Sequence, residues 1–318
     1  MEKIVVSILC HTFNHSSFIK KALDGFIMQK TDFDFEICIH DDASTDNTQR
    51  IIKQYETQYP NLVKPIYQSI NQYSQGKSVF EINRIRANGK YLAICEGDDY
   101  WIDPYKLQKQ VEILESDEKC VCVGHACYIQ NTRNPIARKV WRIGTEKRTL
   151  TMEEIIKHRG SVFPFHSFMF RNEPILMPEF FKHFKVGDVT RLMYFSLKGH
   201  IVYLPDVMSV YRVGVDLSWT HRVRMNTQKL IHHYQSEYEF FKEFNQYTNF
   251  QYDTIMNETL NYLEYLIITR KREFQNLNQE KFIPFINRNK YSQLALWIEK
   301  NYPKLFDYLR ILRFKYWV

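Results

Sequence analysis

Glu96, Asp98 and Asp99 crowd the end of the run Tyr91-Leu-Ala-Ile-Cys-Glu-Gly-Asp-Asp99, and they are the side chains of this sequence best suited to chemistry. Three carboxylates that close repel one another unless a cation or hydrogen-bond donors offset the charge. Hard oxygen ligands suit Mg²⁺ or Mn²⁺, and a divalent ion there would favour a phosphate-bearing substrate. The apolar residues 91–95 have the pattern of a strand buried on both faces of a parallel sheet, with Gly97 letting the backbone turn. In open α/β sheets, ligands bind beyond the carboxyl ends of the strands. The plainer reading of the same residues is a solvated acidic turn.

A second acidic pair, Asp41-Asp42, closes an apolar run over 35–39. Asp42 could accept hydrogen bonds from a base or ribose, as acids at strand ends do in dinucleotide folds; the alternative is an Asx-turn ahead of a helix cap at Asp46. Capping accounts for Asp46 and leaves Asp41 and Asp42 without a task, which favours a ligand. The turn from His11 to His15, after the first strand, would lie beside both acidic clusters. It contains no GxGxxG, and the chain has neither a GxxxxGK[ST] loop nor a GxSxG elbow. Those absences argue against a dinucleotide site, a P-loop ATPase and an α/β-hydrolase.

The elements that must hold these residues alternate. Apolar runs over 4–9, 35–39, 62–67, 91–95 and 120–129 read as strands. Between them, Phe18, Ala22, Leu23 and Phe26 share a helical face that Ser16 or Ser17 could cap. Asp46 and Gln49 are spaced as a capping box ahead of Ile51, Ile52 and Tyr55. A further helix is expected to end near Asn88, and Asp103-Pro104 starts another as N-cap and N1. This rhythm predicts a mainly parallel sheet with helices on both sides. From 131 to 215 the pattern is mixed, with short strands expected at 168–170, 201–204 and 209–213 and a helix over 189–197. Beyond 223 it turns helical, through 230–244 and 255–268.

Composition narrows the function classes. The chain has 318 residues, 44% hydrophobic and 25% charged, enough for a sizeable core in one large or two modest domains. A net charge of +7 attracts anions but does not by itself imply nucleic acid, and the scattered basic groups lack an RNA reader's stacking motif. The cysteines at 10, 38, 95, 120, 122 and 127 show no paired zinc spacing, so buried free thiols in a reducing compartment are expected. The apolar stretch within residues 1–10 is short for a secretory segment, and no run approaches the roughly 18 apolar residues of a membrane span. A cytoplasmic placement is expected.

Ser7-Ile-Leu-Cys-His-Thr-Phe-Asn14, His40-Asp-Asp-Ala-Ser-Thr-Asp-Asn-Thr48 and Glu96-Gly-Asp-Asp99, in that order at strand ends, resemble an inverting glycosyltransferase of family 2 with the GT-A fold, of the bacterial cell-surface polysaccharide type. The resemblance covers about residues 3–130. It implies that Asp42 contacts uracil or another base, that Asp98 contacts the ribose, and that Asp99 holds a divalent metal, Mn or Mg, on the diphosphate. His11, Phe13 and Asn14 would flank the base, with Phe13 standing where many relatives have tyrosine. Relatives often carry Glu-Asp at the start of a helix in the second half, the Asp deprotonating the acceptor hydroxyl. The matching segment is Val186-Gly-Asp-Val189, in which Gly187 replaces the Glu and Asp188 remains. As ordinary local structure Asp188 would N-cap its helix, a use compatible with catalysis. After Tyr211-Arg-Val213 many relatives have a histidine at the metal or diphosphate; here Gly214 follows, which leaves Arg212 or His221 for the diphosphate. A lone histidine is more often a packed or surface residue. Trp101 and His166 could border the acceptor pocket, or simply pack.

The expected architecture is a GT-A catalytic domain over 1–220, with a nucleotide-binding half at 1–130 and an acceptor half at 131–220, followed by a helical extension over 221–318. The expected activity is metal-dependent, inverting hexosyl or N-acetylhexosaminyl transfer from a nucleotide-diphosphate sugar, UDP foremost, to a glycan or lipid-linked glycan, with no nucleic-acid partner. The basic, aromatic segment 302–318, in which Leu305, Leu309 and Leu312 share a face, suits either the inner face of the cell membrane or docking on the protein. The rival reading is a non-catalytic sugar-nucleotide or polyanion binding protein on the same scaffold. A nucleotidyltransferase is a lesser alternative, since its Gly-rich N-terminal loop is missing.

Overall fold

The computed structural model describes residues 3–215, 218–288 and 290–316. Its first part follows the alternation of apolar runs: β1 (Val6–Thr12), α1 (Ile19–Ile27), β2 (Phe35–Asp41), α2 (Thr48–Gln58), β3 (Val63–Tyr67), α3 (Val79–Arg84) and β4 (Tyr91–Ile94). A short β5 (Tyr100–Trp101) precedes α4 (Lys106–Ser116) and the long β6 (Cys120–Asn131). Then come β7 (Asn134–Trp141), β8 (Arg148–Leu150), α5 (Met152–Lys157), β9 (Met169–Arg171), α6 (Gly187–Ser196) and β10 (His200–Val213). The remainder is helical: α7 (Trp219–Arg224), α8 (Thr227–Tyr247), α9 (Asp253–Lys271), α10 (Ile283–Ile286), α11 (Lys290–Asn301) and α12 (Pro303–Tyr316).

The strands form one sheet in the order β3-β2-β1-β4-β9-β6-β10-β5, with β7 on β6 and β8 on β10. β3, β2, β1 and β4 run parallel, as do β6 and β10. Side chains alternate across this sheet, as the strand period requires. Ile8 and Ala93 join α1, α2 and α4 on one face, through Leu23, Phe26, Ile52, Leu107 and Val111. Leu9, Leu92 and Ile94 point the other way, toward Phe80 of α3, Ile155 of α5, Leu192 of α6, and Phe240, Phe244 and Met256 of α8 and α9. Helices therefore cover both faces, and the apolar side of α8 and α9 is continuous with the core under the sheet. All six cysteines are free and buried.

Several local expectations change. Neither Ser16 nor Ser17 caps α1, whose N-cap is Phe18 without a side-chain bond; the Ser16 N–H instead donates to Asp46. The capping box at α2 does not close: Asp46 accepts from the Thr48 N–H, while Gln49 turns away to Asp41. Asp103 accepts from the Tyr105 N–H ahead of α4 rather than capping it. The strands expected at 201–204 and 209–213 are one strand, β10, whose register on β6 shifts between Leu204 and Ser209. Pro205 cannot donate to a ladder, and a bulge absorbs it. β9 runs antiparallel between β4 and β6, so the second half mixes strand directions. β7 and β8 carry no apolar alternation strong enough to announce them.

In the C-terminal segment, Arg272 pairs with Asp307 at 2.6 Å, and Arg310 donates to the Arg224 carbonyl and to Thr227. These contacts seat α12 on α9 and on the α7–α8 corner, while Leu305 and Leu309 remain 48% and 42% exposed. Trp317 and Val318 lie outside the described residues. No helix among the described residues is long and apolar enough to cross a membrane.

Candidate functional site

The parallel register brings the carboxyl ends of β1, β2 and β4 side by side, with Thr12 opposite Asp41 and Leu9 opposite Ile94. Main-chain bonds continue past the strands: Asp42 N–H to the Thr12 carbonyl, Cys95 N–H to Leu9, and Gly97 N–H to His11 at 2.9 Å. The turn holding the carboxylates therefore hangs against the turn after β1. Gly97 serves close approach rather than a left-handed backbone, since it is not among the positive-φ residues. A β-carbon there would lie 2.6 Å from Thr12 Oγ1.

Glu96, Asp98 and Asp99 can each present an oxygen within 4.8 Å of the others. Desolvation by the surrounding protein, then Asp98, Asp99 and Asp188, push the Glu96 carboxyl well above its ordinary range, although its side chain keeps an open edge to solvent. Burial and then Asp98 do the same to Asp99. Hard oxygen donors under mutual repulsion fit a divalent cation, which would relieve the repulsion.

Asp99 is 2% exposed and held from two sides. Its Oδ1 accepts the Arg212 main-chain N–H at 2.7 Å, and its Oδ2 lies 2.9 Å from His166 Nδ1. His166 Nε2 in turn lies 2.7 Å from Ser209 Oγ. The Trp101 indole N–H donates to the His166 carbonyl at 3.0 Å, and Lys106 sits over the Trp101 ring. Trp101 and His166 thus do not border an acceptor pocket: they are 2% and 1% exposed and offer no ring face to a sugar. The Arg212 guanidinium donates to the Asp98 carbonyl at 2.6 Å and lies against the Tyr100 and Phe18 rings. It braces the acidic turn from behind rather than opening onto a diphosphate. His221 lies on α7, whose start is tied to β10 by Tyr211 and Thr220, and whose Arg222 sits over Tyr73.

The β2 acids have structural tasks after all. Asp41 Oδ1 accepts from the Ser44 N–H and from Gln49. Asp42 Oδ1 accepts the Gln72 N–H at 2.7 Å and Oδ2 the Tyr73 N–H at 3.1 Å, so a buried carboxylate shapes the loop after β3. The loops after β1 and β2 interlock, with Asn14 accepting from the Thr45 N–H and giving its own N–H to Ser44. Asn14 has a φ of 55°, a left-handed turn that Asn tolerates. Phe13 projects outward, 38% exposed. His11 sits between His40 and Phe80, where burial lowers its pKa to about 3 and keeps it neutral. Buried polar atoms without a partner gather here: His11 Nε2, Thr12 Oγ1, His15 Nδ1, His40 Nδ1 and Asp41 Oδ2. An open hollow of about 570 Å³ runs along α1 from Lys20 to Met28 and the last turns of α2, and none of these groups lines it.

Asp188 stands in the first turn of α6 but does not cap it; the N-cap is Val186. Its Oδ1 accepts the Val189 N–H at 3.0 Å, and burial raises its pKa. One turn on, Arg191 folds back to the Gly187 carbonyl at 2.9 Å and lies 3.7 Å over the Phe80 ring. Its charge acts on Asp188 and Glu96 alike, and its buried Nε has no partner. Glu237 of α8, 3% exposed, pairs with Arg159 at 3.1 Å and lies in the field of Asp188. Sequence reasoning missed both residues. The three-residue spacing of Asp188 and Arg191 was a usable signal for the first, whereas nothing local marks Glu237.

A sequence model of the family described as Glycosyl transferase family 2 matches residues 7–176. An uncharacterized protein of Mycobacterium tuberculosis is 33% identical over 224 residues, 65% of this chain and 58% of that protein. The chain thus spans 58% of the length of that curated relative. An uncharacterized glycosyltransferase of Nostoc sp. is 34% identical over 120 residues, 38% of this chain and 36% of the relative. Among solved structures, S. aureus TarS 1-349 in complex with UDP-GlcNAc aligns with a TM-score of 0.58 at 17% identity, over 93% of this chain and 79% of that one. The mannosyltransferase PcManGT from Pyrobaculum calidifontis, in complex with GDP-Man and Mn²⁺, aligns with a TM-score of 0.52 at 14% identity, over 98% and 87%. At such identities the likeness is one of fold, and that fold is GT-A: a central sheet flanked by helices, with a helical C-terminal region.

Proposed function

The chain belongs to glycosyl transferase family 2, and we propose that it is an inverting enzyme that moves a hexose or N-acetylhexosamine from a UDP-sugar to a hydroxyl of a glycan or lipid-linked glycan. The observation that carries this reading is the cluster of Glu96, Asp98 and Asp99 at the end of β4, tied by main-chain bonds to the turn after β1, which in turn is tied to the turn after β2. The structures of similar fold hold UDP-GlcNAc in TarS and GDP-Man with Mn²⁺ in PcManGT, which supports a nucleotide-sugar donor and a divalent metal here.

In this reading residues 1–130 bind the donor, residues 131–220 meet the acceptor, and residues 221–318 are an extension whose helices pack against the acceptor half. His11, Phe13, Asn14 and Asp42 border the base, Asp42 also by setting the loop that carries Tyr73. Asp98 takes the ribose. Asp99, with Asp98 and Glu96 near it, holds Mn²⁺ or Mg²⁺, which when bound offsets the negative charge of the diphosphate. Asp188, in its ionised form and within electrostatic reach of Glu96, removes the proton from the acceptor hydroxyl as that oxygen attacks the anomeric carbon from the side opposite the diphosphate. Arg191 keeps positive charge beside these carboxylates, and His221 on α7 meets the diphosphate. The chain works in the cytoplasm, with α12 against the inner face of the membrane.

The test is release of nucleoside diphosphate from a panel of UDP-, GDP- and dTDP-sugars by the purified protein, with Mn²⁺, Mg²⁺ or EDTA. Release from one donor that EDTA abolishes establishes the reaction and names the donor. Absence of both turnover and metal-dependent donor binding refutes it and favours a non-catalytic binding protein.

A further inference from the structure

The buried histidine behind the acidic turn has a geometry that ordinary packing does not require. Asp99 Oδ2 and His166 Nδ1 are 2.9 Å apart; once a bound cation keeps Asp99 ionised the carboxylate only accepts, and Nδ1 is the ring nitrogen placed to carry the proton. His166 Nε2 then accepts the Ser209 hydroxyl at 2.7 Å, which fixes the tautomer. The ring is stacked on Tyr211, with an interplanar angle of 18°. Its main chain is pinned by the Trp101 indole through the His166 carbonyl, and the next carbonyl, of Ser167, accepts from Gln110 at 2.8 Å. His166, Asp99 and Ser209 are 1%, 2% and 0% exposed. An apolar side chain at 166 would leave two buried oxygens unpaired.

We propose that His166, seated by Ser209, is the positioning residue that aims the Asp99 carboxylate at the divalent ion. With Oδ1 accepting the Arg212 N–H and Oδ2 in close contact with His166 Nδ1, the carboxylate is confined from two different elements. Each oxygen keeps a lone pair, since a carboxylate has about four such sites. Outer-shell partners of this kind fix ligand orientation, and losing one typically costs about 10- to 100-fold in metal affinity. The inference rests on the metal-holding role given above to Asp99.

The test is Mn²⁺ binding to the purified full chain, read by electron paramagnetic resonance without donor, alongside thermal melting without metal. His166→Phe is expected to weaken Mn²⁺ binding by about 10- to 100-fold, and His166→Asn, whose amide N–H can stand where Nδ1–H stood, to recover most of it. Ser209→Ala, a small change at a buried site, is expected to weaken binding about three-fold or more and decides the matter if His166→Phe does not fold. Side-chain nitrogen NMR is expected to show the Nδ1–H tautomer in the metal-bound wild type. Variants that bind Mn²⁺ as the wild type does, whatever their melting temperatures, overturn the positioning role and leave the metal site standing. A wild type that binds no Mn²⁺ overturns the metal site itself and the positioning role with it.

Discussion

The main-chain N–H of Arg212 donates to Asp99 Oδ1 at 2.7 Å, tying the last residues of β10 to the acidic turn after β4. The guanidinium adds a charge-assisted bond to the neighbouring Asp98 carbonyl. A bond of that type contributes about 1.5–3 kcal/mol. Arg212→Leu should therefore lower unfolding stability by about 2 kcal/mol and weaken Mn²⁺ binding, because the turn loses its brace while the main-chain bond remains. Urea titration and metal binding check both; an unchanged urea midpoint would remove the bracing role.

Asp188→Asn keeps the shape of the first turn of α6 and removes the proton acceptor. Turnover should fall by about 100- to 10,000-fold while donor affinity, measured by calorimetry, changes little. Because burial raises this carboxyl and the base acts when ionised, kcat/KM of the wild type should climb with pH through a limb above the ordinary aspartate value. Collapse of donor affinity in the variant would instead make Asp188 a binding or folding residue.

Asp42→Ala strands two loop N–H groups, those of Gln72 and Tyr73. Leaving buried partners unsatisfied costs about 1–3 kcal/mol. UDP should bind at least about ten-fold more weakly, and protease cleavage near residues 71–77 should speed up. Equal affinity and equal cleavage would separate this carboxylate from the donor site.

Burial pushes the Glu237 carboxyl up to about 7, outweighing the Arg159 charge beside it. The folded chain then keeps a proton that the unfolded chain has released, over the window from about 4.5 to 7. Stability should decline as pH rises across that window. Glu237→Gln should flatten the decline, as followed by chemical denaturation at several pH values. A slope equal to that of the wild type would count against the shift.

Leu305 and Leu309 stay exposed on α12 while polar contacts seat that helix. Changing both to Asp should abolish sedimentation with anionic lipid vesicles and leave turnover of soluble substrates intact. Unchanged sedimentation would dismiss membrane contact through this helix.

The strand ends and their acids were readable from short-range signals. Apolar runs of strand length, closed by polar turn residues, placed β1, β2 and β4 and so the three turns that meet. What escaped depends on residues far apart in the chain. The partnership of Asp99 with His166, 67 positions away, leaves no local trace, and neither does the loop bond from Asp42 to Gln72. His166 and Trp101 looked like sugar-facing groups because aromatic composition does not reveal burial. Gly214 has a φ of 77°, a conformation strained for any residue with a side chain, and the sequence alone does not display that backbone feature. The two short strands expected at 201–204 and 209–213 flank Pro205, and only the pairing with β6 shows that a bulge carries one strand past it.

The six cysteines are all buried, and the folded chain is expected to react slowly with thiol reagents. Burial raises the pKa of each, so little thiolate forms at neutral pH and none lies on the surface. A cysteine placed at exposed Gln75, next to the loop that Asp42 holds, would thus take up a fluorescent maleimide alone, in an otherwise native background. Donor arrival at the strand ends could then be followed optically, in real time, with no need to strip the natural thiols first.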